Sequence, residues 1–301
     1  MALVTAGAYL RKTNLTFQQY LDAYEQRWQV DPRRPPQLQD DRGRTLYTTW
    51  KLTYNRLKDD DAEAAEMLTL LAYFDNQEIW YELFRAGLSH HSPERLRSFL
   101  AEQANFESVI ITLVEYCLIE VQHTTQSYSM HNCVHDWLLG ELNSEIDPQL
   151  YWYAFDCTAA SIDKEDQNLL GHIKYARLSR HGLRLTHQRF RMCFGSDGSL
   201  LGRLGKVARI VKMLIENHQH LAAEWICERA LAGCEDALGP EHSWTLDMVY
   251  NLGVVYSDRG KLVKAEQMYK RALATAEKIF GPHHKRTFAI VNGIGIVPSS
   301  R

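Results

Sequence analysis

From residue 223 the chain reads AEWICERALAGCEDALGPEHSWT, and from residue 265 it reads AEQMYKRALATAEKIFGPHHKRT. Ala223-Glu224 returns as Ala265-Glu266, Arg229-Ala230-Leu231 as Arg271-Ala272-Leu273, Gly239-Pro240 as Gly281-Pro282, and Thr245 as Thr287. Every pair is 42 residues apart. A fixed period of this size marks a repeat architecture, in which each unit buries its apolar face only by stacking on its neighbours. The unit is two helices joined by the turn Asp258-Arg259-Gly260, with a Gly-Pro turn closing the second helix.

The spacing resembles the tetratricopeptide repeat. Counting from Leu246, the residues Leu252, Gly253, Tyr256, Ala265, Tyr269 and Ala272 stand where that pattern places its large and small residues. Gly253 and Ala265 let the two helix backbones approach, and Tyr256 and Tyr269 fill the space between them. The first copy departs, with Val211 at the small position and Leu214 at a tyrosine position, while Ala223 and Ala230 are retained. An atypical end unit is expected of a cap. The usual unit has 34 residues; here eight more follow Ala272 and lengthen the second helix. This long form resembles the repeats of kinesin light chains and of many fungal and bacterial multidomain sensors. A third copy starts at Phe288 with Val291, Ile294 and Gly295 in phase, and then Pro298 falls where Tyr256 sits. Residues 205–301 therefore read as two units and a truncated third, whose uncovered apolar face is open to self-association. The resemblance implies a concave groove for a protein or peptide. Its candidate lining residues are polar positions on the first helix: Asp247, Tyr250, Asn251 and Asp258.

Outward from the repeats, the fold class expected is mainly α: a winged-helix domain with a small β-hairpin, a helical linker, then the α-solenoid. Residues 1–30 read as two amphipathic helices, the second carrying Phe17, Tyr20, Leu21, Tyr24 and Trp28 on one stripe. Residues 31–44 hold Pro32, Pro35 and Pro36 among polar residues and read as a linker. From Thr45 the helical pattern resumes in Leu46, Trp50, Tyr54 and Leu57. Asp59-Asp60-Asp61 then supplies the cap for a helix from Ala62 to Phe74. Further helices are expected at 78–86, 93–104 and 106–117, and short strands at 118–121 and 128–130. A helix from Asn132 to Leu142 closes this 45–145 domain. Residues 146–204 read as a helical linker, with a flexible joint at 195–199.

The first half also resembles the NB-ARC nucleotide-binding switch ATPases. Leu3 through Leu10 is similar to the segment after that family's Gly-Leu-Pro-Leu-Ala motif. Thr48-Thr49-Trp50-Lys51-Leu52-Thr53-Tyr54 followed by Ala64-Ala65-Glu66-Met67-Leu68 is similar to the start of its winged helix, and Met130-His131-Asn132 to its Met-His-Asp motif. Joined to long tetratricopeptide repeats, this order resembles fungal NOD-like receptors of the STAND class, of which 1–30 would be an ATPase-domain remnant. The resemblance implies that His131 is the one remaining contact to a bound ADP. Nothing in the chain reads G-x-x-x-x-G-K-[ST], no acidic Walker B strand is present, and Asn132 replaces the motif's aspartate. One neutral imidazole cannot replace a glycine-rich cradle and a lysine for a polyanion, so no cofactor is expected. The reading preferred for His131 is a strand-end residue hydrogen-bonded to nearby backbone.

Other chemistry finds little support. His131, Cys133 and His135 would not converge on a zinc ion, because residues two apart on a helix point some 200° from each other. The doublets His90-His91 and His283-His284 read as solvated loop residues. No G-x-S-x-G elbow occurs, and Asp59-Asp60-Asp61 is accounted for as a cap, so the chain reads as no enzyme. A net charge of −3 and a candidate recognition helix, 106–116, with two acids and no base exclude duplex DNA as the expected partner. No apolar run reaches 18 residues, so no membrane span is expected. Six scattered cysteines without a C-x-x-C fit reduced thiols and a cytoplasmic protein. Three functions follow: an interaction scaffold of a STAND-type sensor, an ADP-regulated switch whose P-loop part lies outside this chain, or a kinesin-light-chain-like cargo adaptor. The last would carry heptad repeats, which this sequence lacks.

Overall fold

The computed structural model describes residues 2–13, 15–22, 41–90, 92–162, 169–194 and 200–296. The chain is mainly α, with one small two-stranded antiparallel sheet among the described residues. It divides into two compact units, Met1–Ala154 and Phe155–Arg301.

In the first unit, α1 (Ala2–Thr13) lies against α2 (Asp41–Asp60). Tyr9, Tyr20 and Leu52 form a small core there, and Tyr20 Oη is hydrogen-bonded to Thr49 Oγ1 at 2.9 Å. The helix α2 begins at Asp41, inside the stretch read as a linker, so helical backbone extends upstream of the Thr45 start. The linker's prolines and the stripe residues Tyr24 and Trp28 lie outside the described residues.

Helix α3 (Ala62–Leu71) is the centre of the unit, with Ala64, Ala65, Met67, Leu68, Leu70 and Leu71 all buried. It starts where Asp61 accepts a bond from the Ala64 N–H at 2.9 Å, which satisfies one of the free donors of the first turn. Helix α4 (Tyr81–Ala86) packs on α5 (Glu94–Leu100), which together with α6 (Gln103–Glu115) lies against α3. Phe84 lies 4.9 Å from Phe74 and 5.7 Å from Phe106 between ring centres, giving the core an aromatic seam.

The strands are β1 (Glu120–Gln122) and β2 (Ser127–Ser129), with Val121 opposite Tyr128. Both are shifted from the expected 118–121 and 128–130. Leu118 and Ile119 are only 2% exposed, and the Leu118 N–H bonds the Leu113 carbonyl at 3.0 Å. Their apolar character thus belongs to a helix end folded onto the core, which period-two patterning cannot distinguish from a strand. Ile79 exchanges two backbone bonds with Tyr128, at 2.9 and 2.7 Å, so α4 starts at Tyr81 rather than 78. After β2, α7 (Asn132–Trp137) runs into a π-helical turn at Leu138–Leu142. His135, 5% exposed, places Nε2 2.9 Å from the Phe74 carbonyl and ties this helix to the centre.

Helix α8 (Pro148–Ala160) contains the division between units. The second unit continues through α9 (Leu169–Arg184) and a 3₁₀ segment, Gln188–Cys193. Asp156 receives Arg203 in a two-pronged pair at 2.9 and 3.1 Å and Lys206 at 2.9 Å. The repeats follow as five helices: α10 (Leu204–Glu216), α11 (His220–Leu238), α12 (Ser243–Asp258), α13 (Leu262–Phe280) and α14 (Lys285–Ile296). Each packs on the next. The joint expected at 195–199 and Pro298 lie outside the described residues.

Candidate peptide-binding face of the repeats

The turn between units is built twice from the same parts. Gly239 and Gly281 end α11 and α13 with φ of +84° and +86°, a backbone conformation that L side chains rarely adopt. Three residues on, His242 and His284 begin the next helix, and each Nδ1 accepts the backbone N–H two residues later, Trp244 or Arg286, at 3.2 Å. Thr245 and Thr287 then donate their hydroxyls back to the glycine carbonyls at 2.8 and 2.9 Å. His284 also stacks on Phe280 with ring centres 4.7 Å apart. It is therefore a structural cap rather than the solvated loop residue expected. Its signal was present, since His242 and His284 share the 42-residue spacing.

Inside a unit the small-to-large pairing sets how closely the helices approach. A β-carbon on Gly253 would meet the Tyr269 ring at 2.7 Å. The equivalent positions in the first unit carry Val211 and Cys227, both fully buried. Volume has been moved from one helix to the other, so the sequence departs while the packing persists. Across units, polar side chains of α11 meet α12, the turn after it and α13. Glu224 pairs with Lys261 at 2.6 Å and also with Arg259, Glu235 pairs with Arg271, and Tyr256 Oη donates to Glu228 at 3.0 Å. Such pairs at the surface add little stability, but they fix register between neighbours.

The first helices of successive units, α10, α12 and α14, touch through one repeated contact. Trp244 reaches back to Gly205, where a β-carbon would lie 3.4 Å from the indole. One period later Arg286 reaches back to Asp247, Nη1 to Oδ1 at 3.3 Å. Between α12 and α14 this leaves a cleft of about 210 Å³ lined by Leu246, Asp247, Tyr250, Arg286, Ala289 and Ile290. Partial burial holds the Asp247 carboxyl above the ordinary carboxylate range, against the opposing pull of Arg286. Arg286 is further held over the Phe280 ring at 5.4 Å.

Of the candidate groove residues, Asp247 and Tyr250 line this cleft. The Tyr250 ring also lies 5.9 Å from that of Tyr269. Asn251 is half-buried beside them on α12, and Asp258, at the far end of the helix, sits 3.7 Å from His220 Nδ1. Sequence reasoning missed Arg286, Leu246, Ala289 and Ile290. Arg286 was detectable as the residue one period after Trp244; the apolar floor was not, because such residues read as core.

His131 lies in the other unit. It caps α7, with Nδ1 accepting the Cys133 N–H at 3.2 Å. The ring nitrogen that faces the chain is thus engaged with backbone. Among the described residues, no group of three or more His, Cys, Asp or Glu is placed to hold a metal ion, and no helix is long and apolar enough to cross a membrane. None of the six cysteines is joined in a disulfide. Burial pushes the Cys227 thiol far up, and the Cys234 thiol to about 11, which keeps both protonated and unreactive.

In comparison with known proteins, the tetratricopeptide repeat family matches residues 206–278, from the first turn of α10 to near the end of α13. No curated protein matches the chain. Repeats of this kind suggest a protein–protein interaction scaffold.

Proposed function

We propose that the chain is a non-catalytic scaffold whose repeats take an extended segment of a partner protein on the α10–α12–α14 face. The observation that carries this reading is the cleft between α12 and α14. At about 210 Å³ it is below the size of ordinary cofactor or small-substrate pockets, roughly 300–1,000 Å³, and suits one large apolar side chain. Leu246 and Ile290 offer the apolar floor, while Asp247, Tyr250, Arg286 and neighbouring Asn251 offer polar partners for a peptide backbone. The test is selection from a random 12-residue peptide display library against the full chain. A recurring motif is expected, and its binding should be lost on Ile290→Trp and Tyr250→Ala and kept on Phe17→Ala. Absence of any enriched motif, or enrichment indifferent to both cleft variants, overturns the reading.

We infer further that residues 45–145 form a winged-helix domain and that the scaffold belongs to a STAND-type, cytoplasmic sensor. What supports this is the order of Leu3–Leu10, Thr48–Tyr54 and Met130–Trp137 along the sequence, and the placement of the β1–β2 hairpin between α6 and α7. The test is a nested series ending in the full chain, probed for a separately folding 45–145 domain by proteolysis and circular dichroism. A fragment that stays unfolded in isolation counts against it.

A further inference from the structure

The formal charge of −3 conceals an uneven distribution. Residues 1–154 carry 22 acids against 13 bases, and residues 216–301 carry ten of each. Residues 155–215, which hold α9, the 3₁₀ segment and α10, carry 11 bases against five acids, a surplus of six. Between Asp166 and Asp197 there is no acid at all, while Lys174, Arg177, Arg180, Arg184, Arg189 and Arg191 are basic. On α9, Ala176, Arg180 and Leu183, spaced i, i+4 and i+7, are exposed on one face. The buried side of the helix holds Leu178, Gly182 and Leu185, and a β-carbon on Gly182 would stand 2.7 Å from Met213 of α10. Arg184 lies over the Phe190 ring at 5.8 Å and so joins α9 to the 3₁₀ segment. There Gln188, Arg191 and Met192 are exposed, with Arg191 over the Trp225 ring at 5.5 Å. Stacking holds both guanidiniums in place and leaves their N–H edges for an anion. Beside them stand two apolar side chains in solvent, Leu183 at 42% and Met192 at 72% exposure.

We propose that the exposed side of α9 and the 3₁₀ segment is a docking surface for an anionic membrane, with arginines at the headgroup phosphates and Leu183 and Met192 reaching just below them. Charge complementarity selects an anionic partner. The apolar tips then select among anionic partners. A nucleic acid strand would leave Leu183 and Met192 unmatched, and its bases would need open ring faces on which to stack. Phe190 and Phe194 are instead buried, and Trp225 already carries Arg191. An acidic protein segment needs a matching shape, whereas here the charge is spread over two elements and the apolar side chains stand singly. A fluid bilayer asks for no shape. It takes smeared positive charge at its headgroups and isolated apolar side chains at the acyl boundary. Each signal alone is weak, and the two together give reversible attachment. The attachment is to one surface, since no described helix is long and apolar enough to cross.

The test is cosedimentation of the full chain with phosphatidylcholine vesicles carrying about 30% phosphatidylserine, and with pure phosphatidylcholine, in about 0.15 M salt. Such vesicles repel a chain of net charge −3 as a whole, so binding that requires phosphatidylserine reports a local surface. Binding is expected to the anionic vesicles only. Arg180→Gln and Arg191→Gln should each weaken it about fivefold, the effect of one charge near the headgroups, and Arg191→Lys should keep most of it. Leu183→Ser combined with Met192→Ser should weaken it too, whereas Lys270→Gln, on α13, should change nothing. Unchanged circular dichroism checks that each variant is folded. Failure to bind anionic vesicles overturns the proposal, and uptake of oligouridine or polyglutamate in their place would give the surface to nucleic acid or to an acidic protein. Binding indifferent to phosphatidylserine, or to both arginine variants, overturns it as well. Binding that survives the paired serine variant overturns the insertion of Leu183 and Met192.

Discussion

Gly253 and Tyr269 occupy one space: a β-carbon on the glycine would stand 2.7 Å from two atoms of the tyrosine ring. One period earlier the equivalent positions hold Val211 and Cys227, both fully buried. The closeness of α12 and α13 is thus a property of the pair rather than of either residue.

This makes the pair separable by a double-mutant cycle in urea denaturation. Gly253→Val is expected to cost about 1–3 kcal/mol by overpacking. Tyr269→Cys is expected to cost about 3 kcal/mol by leaving a void. Together they import the first unit's combination, so the double variant should fall short of the summed loss by ~1–3 kcal/mol. Simple additivity would falsify the shared-space account.

The Gly-Pro turn offers a contrast between space and backbone. Gly239 and Gly281 have open surroundings but positive φ, whereas Gly202 has open surroundings and no positive φ. Alanine at 239 or 281 is expected to destabilise by about 1–2 kcal/mol through backbone strain alone. Alanine at 202 should leave the thermal midpoint unchanged. Thr245→Val, which deletes the bond to the Gly239 carbonyl, should cost about 1 kcal/mol more than replacement of an exposed threonine.

Asp247 gives a pH dependence whose sign is opposite to that of a carboxylate stabilised by its ion pair. Burial raises its pKa above 3.8, outweighing Arg286, so the folded chain holds this proton more tightly than the unfolded chain does. Its contribution to stability is complete below 3.8 and is lost as pH rises through the elevated folded value. Asp247→Asn should therefore be at least as stable as the parent at neutral pH, the difference narrowing as the solution is acidified toward that range. A variant that is less stable at neutral pH, with the gap closing in acid, would show that Arg286 outweighs burial.

Two tyrosines should ionise late. Burial, and for Tyr256 the bond to Glu228, push Tyr256 and Tyr269 from 10 to about 12. The unfolded chain releases these protons first, so their share of stability is lost as pH climbs from 10 through about 12. In an ultraviolet titration, phenylalanine at either position should remove one late-ionising group. Loss of an early one instead would contradict the buried setting.

His131 is expected to matter to α7 and not to nucleotide. His131→Ala removes a capping acceptor and should cost about 0.5–2 kcal/mol. Calorimetric titration with ADP should give no saturable heat in either protein, and clear saturation that disappears with the histidine would restore the ADP-regulated reading.

Much of the repeat was legible. The 42-residue period located α11 through α14 and the turns between them, because glycine, proline and small core residues are each tied to a local geometry that few other residues can adopt. A third of the cleft lining was legible too, through Asp247 and Tyr250. Its floor was hidden, since Leu246 and Ile290 carry no signal separating a residue beneath a cleft from one inside a core. In the first unit the misplacement of β1 has a similar origin. Leu118 and Ile119 are apolar because a helix end turns inward there, and only the backbone path reveals it.

The sequence by itself determined the helical unit, its period and the identity of the turn residues, because these depend on backbone conformation within a few residues. The tertiary structure alone decided that Arg286 meets Asp247 and that Leu246 and Ile290 lie beneath a cleft between α12 and α14. Those depend on which helix faces which, and a side chain's partner across a helix interface is set by packing at a distance that local sequence does not encode.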